Sequence, residues 1–241
     1  MAVKYDMTPD NYKLSTSFEL INSEIVFKEA AIKDFIVDGE KLVKEKQEKL
    51  IKDLNALYQK NEELGRISEQ HGHFHDCTVN ESMQEAFLLA STSYLYSQFE
   101  FYLNEIAKRT AELFNIEISH LDLENYVPKK KNRRKKRLSK IDRIIFFIDE
   151  TAKINPNIPY FEWDKIKLFQ QARNCITHNN GYVSPNYPTM KILPYSNRGL
   201  SYDIDNNRIS VNKEYLLEIN KICFDFLNKT MEKVWVMRPR I

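Results

Sequence analysis

Arg173, Asn174 and His178 are residue types suited to phosphate chemistry, set close together near the end of one predicted helix. Arg presents a planar fork that holds a phosphate bidentately, and His titrates near neutrality, so it can take or give a proton. Such a pair suits RNA cleavage, in which the ribose 2′-hydroxyl is the nucleophile and no metal or other cofactor is needed. With roughly 100° per residue and Trp163 at zero, Leu168, Phe169, Ala172, Cys175 and Ile176 fall between roughly 120° and 240° and form an apolar face. Arg173, Thr177, Asn174 and His178 fall at roughly 280°, 320°, 20° and 60°, one arc on the opposite side. Asn174 and His178 are one helical turn apart, so the amide can orient the imidazole. His178 stands in the last turn before Asn179-Asn180-Gly181, where the helix dipole favours its protonated form. The same side chains also suit an ordinary polar helix end.

Arg173-Asn174-Cys175-Ile176-Thr177-His178 has the R-N-x-x-x-H form of the motif in HEPN-domain proteins. The chain resembles that family from Met83 to Val236: a long helix, a helix carrying the motif, a short irregular or hairpin segment and a last helix. The resemblance implies an all-α bundle and a homodimer in which two motifs face each other across a cleft. It implies a metal-independent endoribonuclease, of the kind that serves as a toxin, abortive-infection or anti-phage effector. By that likeness Arg173 holds the scissile phosphate, His178 acts as acid or base, and Asn174 positions them. Glu100, a carboxylate set between Phe99 and Phe101, is expected to pair with Arg173, though it reads equally as a solvated surface carboxylate. RNA is then the partner, with control by a regulatory protein or antitoxin in trans. One branch of the family carries a Tyr two residues after the motif His; here Asn180 stands there and Tyr182 lies just beyond. A catalytically silent HEPN-like module, binding RNA or protein through a dimer seam, shares every feature except cleavage.

Two further clusters carry charge or metal-ligand chemistry. Lys129, Lys130, Lys131, Arg133, Arg134, Lys135, Lys136 and Arg137 place eight positive charges on nine residues. They are enough to contact several phosphates as an RNA-guiding arm, and suit an acidic partner or a solvated loop as well. His71, His73 and His75, beside Asp76 and Cys77, would point to one side of an extended segment and could take zinc or nickel. A polar surface loop without metal is the expectation there.

These residues must be positioned by a mostly helical chain. Lys, Glu, Leu and Ile are abundant, and only 5 of 241 residues are Gly. Those glycines are too dispersed for G-x-G-x-x-G or Walker-type phosphate loops, and three scattered Cys make no C-x-x-C pair. A net charge of +2 leaves affinity for a polyanion to local charge clusters. No apolar leader opens the chain and no 18 apolar residues run together, so a cytoplasmic protein without a membrane span is expected.

The organisation expected is a single HEPN-like domain over residues 1–241. Residues 18–64 read as a charged, solvated helical hairpin arm, bent or split at Gly39, and residues 80–236 as the core. A polar break at His71 to Cys77 is followed by a capping box at Thr78 to Glu81. A long helix comes next, with Met83, Phe87, Ala90, Tyr94, Phe101 and Ile106 on its apolar face. Helices over Leu138 to Lys153, Tyr160 to Asn180 and Tyr215 to Val236 complete the bundle. Leu200 to Ile204 and Arg208 to Val211 form a small β-hairpin around Asp205-Asn206-Asn207.

Overall fold

The computed structural model describes residues 9–60, 62–117, 123, 125–128, 138–154, 160–179, 181–183, 199–203, 205 and 207–237. The basic run from Lys129 to Arg137 lies outside them. Among these residues the fold is all-α with one small antiparallel hairpin. Its elements are α1 (Pro9–Lys60), α2 (Glu62–Leu113), α3 (Lys140–Ala152), α4 (Tyr160–Asn179), β1 (Leu200–Asp203), β2 (Arg208–Val211) and α5 (Lys213–Val236). No helix among the described residues is long and apolar enough to cross a membrane.

The two longest helices depart from the sequence reading in instructive ways. α1 is neither bent nor split at Gly39 but runs through it. Gly39 is a packing residue: a Cβ there would overlap the tip of the Phe87 ring, so the absence of a side chain makes room for an aromatic neighbour. Nor is α1 a solvated arm along its length, because Phe18, Ile21, Ile25, Ile32, Ile36, Glu40 and Gln47 are buried. Only residues 48–60 keep the expected solvated character, with none of them buried.

α2 likewise runs unbroken through His71 to Cys77, so neither the polar break nor the capping box at Thr78 to Glu81 exists. Polar side chains do not remove backbone donors as Pro does, and Gly72 costs only about 1 kcal/mol in a helix interior. The backbone there is helical, not extended. Of the apolar stripe expected on α2, Ile106 is buried, whereas Met83, Tyr94 and Phe101 are exposed and Leu88, Leu95, Phe99 and Leu103 are enclosed instead.

The helix ends follow from local chemistry. Asn115 takes the left-handed conformation (φ 51°), and Ile116 N donates to Ala111 O at 2.8 Å, closing the end of α2. Ser139 caps α3, its hydroxyl accepting from Asp142 N at 3.4 Å while Asp142 Oδ2 accepts from Ser139 N at 3.1 Å. Asn212 Oδ1 accepts from Tyr215 N at 2.9 Å at the start of α5. The hairpin pairs Leu200 with Val211 and Asp203 with Arg208.

Two compact units share the chain. The first comprises residues 1–30, 97–166 and 221–241. Its core is aromatic: Phe226 meets Phe99 at 6.1 Å and stacks on Trp163 at 5.3 Å between ring centroids, and Phe18 meets Trp235 at 5.3 Å. Tyr126 Oη donates to Glu150 at 2.5 Å. The second comprises residues 31–96 and 167–220, so it holds the hairpin and most of α4. Ile32, Ile36, Leu88, Leu95, Phe169, Ala172, Ile209 and Leu216 fill it. Its one buried carboxylate among the described residues, Glu40, accepts from Lys213 Nζ at 2.6 Å and lies 3.5 Å from Lys44 Nζ.

Candidate active site

α4 presents the motif as its periodicity requires. Ile166, Leu168, Phe169, Ala172, Cys175 and Ile176 are buried, while Asn174, Thr177 and His178 are exposed and Arg173 is half-buried. This division follows from the sequence spacing alone. The helix stops after Asn179, where Gly181 adopts φ +84° and its N–H donates to Cys175 O at 3.0 Å. That bond satisfies one of the carbonyls a helix end leaves open, and the positive φ favours a residue without a Cβ.

Arg173 is held by an arrangement of five side chains, two of them in direct contact with it. Its guanidinium lies over the ring of Tyr96, 4.9 Å from the centroid, within the range where a cation is attracted to a π face. Tyr96 is only 2% exposed and so provides a fixed floor. Its hydroxyl accepts from Gln170 Nε2 at 2.9 Å, and Gln170 Oε1 accepts from Lys167 Nζ at 2.9 Å. Phe169 meets the same ring edge-on at 5.8 Å. On the outer side Arg173 Nη1 donates to Asn174 Oδ1 at 3.1 Å. Arg173 Nε is buried and has no hydrogen-bond partner among the described residues.

The geometry gives Asn174 a specific task, since its carbonyl is turned to the guanidinium one residue before it. His178 is exposed, with no hydrogen-bond partner among the described residues, so its imidazole is open to solvent. Thr177, between them in sequence, shares a hydroxyl hydrogen bond of 3.2 Å with Ser93. That bond ties the last turn of α4 to α2.

Glu100 belongs to the first unit, where Lys140 Nζ lies 2.8 Å from its Oε1. Within that unit Lys140 is the cation that answers the Glu100 carboxylate. The residues that seat Arg173 are Tyr96 and Gln170, which sequence reasoning missed. Gln170 lies three residues before Arg173, one turn away, and that spacing was the available signal. Nothing local marks Tyr96 among its neighbouring aromatics. Among the described residues no group of acidic, His and Cys side chains is placed to hold a metal ion. The side chains of His71, His73 and His75 lie outside the described set.

Chemically, the end of α4 offers a fixed guanidinium with donors unspent, an amide that orients it and an open imidazole on the same helix end. Comparison with family models, curated proteins and solved structures finds no match to this chain.

Proposed function

We propose that this chain is a HEPN-like, metal-independent endoribonuclease that cuts RNA through the ribose 2′-hydroxyl. It works as a cytoplasmic homodimer, as a toxin or anti-phage effector held in check by a regulatory protein or antitoxin in trans. The observation that carries the reading is the seating of Arg173. A guanidinium on a neutral ring, with an amide for its close partner and no carboxylate contact among the described residues of its own unit, keeps its positive charge for a ligand.

In the proposed reaction an imidazole of His178 takes the 2′-hydroxyl proton. The O2′ then attacks phosphorus and the P–O5′ bond breaks. A protonated imidazole, the one on the second copy of the motif, gives its proton to the departing O5′. The products are a 2′,3′-cyclic phosphate and a 5′-hydroxyl. Arg173 stabilises the charge that gathers on the non-bridging oxygens, and Asn174 keeps the guanidinium aimed.

The test is to incubate purified wild type, Arg173→Ala and His178→Ala with single-stranded RNA in EDTA and to analyse the product ends. Cyclic-phosphate ends from wild type alone are expected. A folded wild type that shifts RNA without cutting it overturns the nuclease reading in favour of a binding module.

A further inference from the structure

We propose that Tyr182 is a stacking platform for an unpaired nucleobase beside the scissile phosphate, which makes single-stranded RNA the substrate class. This inference rests on the reading of Arg173 and His178 given above. Its observations are separate from theirs.

Tyr182 is tied to the helix end that carries the motif. Its N–H donates to Asn179 O at 2.9 Å, one residue beyond His178. On its other side it is fastened to the hairpin: Ile209 N donates to Gly181 O at 2.9 Å and Val183 N to Asn207 O at 2.9 Å. Asn207 Nδ2 returns a bond to Val183 O at 2.9 Å. Tyr182 therefore forms an antiparallel bridge with Arg208, on backbone hydrogen-bonded on both sides. Gly181 and Val183 on either side are buried, and Tyr182 between them is 52% exposed.

The ring is also backed. The Arg208 guanidinium lies 5.5 Å from its centroid and is itself held by Glu85, with Nη1 2.9 Å from Oε1 and 3.2 Å from Oε2. One face of the ring rests on a fixed cation, and the exposed remainder meets solvent. A fixed, backed aromatic surface loses little freedom when a base stacks on it. Bases within a duplex have both faces already stacked, so only an unpaired base can use such a surface.

The probe is a short single-stranded 2′-O-methyl oligoribonucleotide carrying 2-aminopurine, which binds but cannot be cut. Wild type is expected to quench its fluorescence. Tyr182→Ala should weaken Kd by about 5- to 150-fold and restore the fluorescence, while Tyr182→Phe keeps both. The dependence of Kd on log salt should be the same for all three, because no phosphate contact is removed. Thermal melting of each variant checks folding, and Tyr182→Phe retains the ring if Tyr182→Ala is damaged. Equal Kd for wild type and Tyr182→Ala, equal affinity for a duplex of the same sequence, or no binding by wild type overturns the platform. Ring-dependent quenching from a protein that never cleaves RNA upholds the platform and overturns only the nuclease reading.

Discussion

Arg173 and Arg208, both in the second unit, each lay a guanidinium on a tyrosine ring, and the two regions are otherwise opposites. At Arg208 the ring is exposed and the cation is answered by both oxygens of Glu85. At Arg173 the ring is buried, the close polar partner is an amide, and Nε has none among the described residues. A carboxylate at hydrogen-bond distance offsets most of the charge of an Arg, whereas a ring and an amide leave it largely available. The difference locates chemistry by what answers the charge, because residue type is the same in both places. Arg208 serves to hold Tyr182, and in the other region Tyr96 serves to hold Arg173.

The comparison is broken or sharpened by four substitutions. The largest effect is expected at Arg173: Arg173→Ala should lower RNA cleavage at least about 100-fold, the loss typical of removing one preorganised donor. Melting should change little, and an equal loss in Arg208→Ala, measured in the same cleavage assay, would erase the distinction. Next is Tyr96→Phe, which keeps the ring and strands the buried amide of Gln170. It should cost about 1–2 kcal/mol in urea unfolding while leaving most of the cleavage activity.

Glu40→Gln follows, as a second test of an answered charge. The hydrogen bond from Lys213, against the opposing effect of burial, holds the Glu40 carboxyl below its ordinary value of 4.5. A group depressed in the folded state contributes stability above its unfolded pKa and loses that contribution as pH falls through the folded value. The gap in melting temperature between wild type and Glu40→Gln should therefore be full at neutral pH and close below about pH 4.5. A gap that does not narrow on acidification would show that the pair adds nothing by charge. The smallest effect belongs to Glu85→Gln: its pair with Arg208 is about a third exposed, so unfolding should shift by about 1 kcal/mol or less. A larger shift would mean that Arg208 is more than a prop for Tyr182.

Short-range chemistry made the end of α4 legible. The apolar spacing of Leu168, Phe169, Ala172, Cys175 and Ile176 matched their burial, and the Gly181 stop matched its positive φ. The β-hairpin was readable because residues 200–211 alternate around polar turn residues. α2 was harder because it carries aromatic residues on more than one side. Tyr94 and Phe101 look like core by composition, yet Leu95, Phe99 and Leu103 are the enclosed set. Partner identity was not legible at all. Tyr96 meets Gln170 and Arg173 from 74 and 77 positions away, a pairing set by tertiary packing with no local signal. Glu100 carries the same charge whether Lys140 or an Arg answers it, so its sequence position did not disclose its partner.

Gly39 and Phe87 act together as a notch and a tooth. The ring tip occupies the volume in which any other residue of α1 would carry a Cβ. If α1 slipped by one turn, about 5.4 Å, Phe35 or Val43 would arrive opposite the ring and push it out of place. A smooth leucine surface would tolerate such sliding, since one aliphatic ridge resembles the next. The single vacant position instead gives α1 a preferred longitudinal setting against α2, so the seam between two long helices works as an indexed joint.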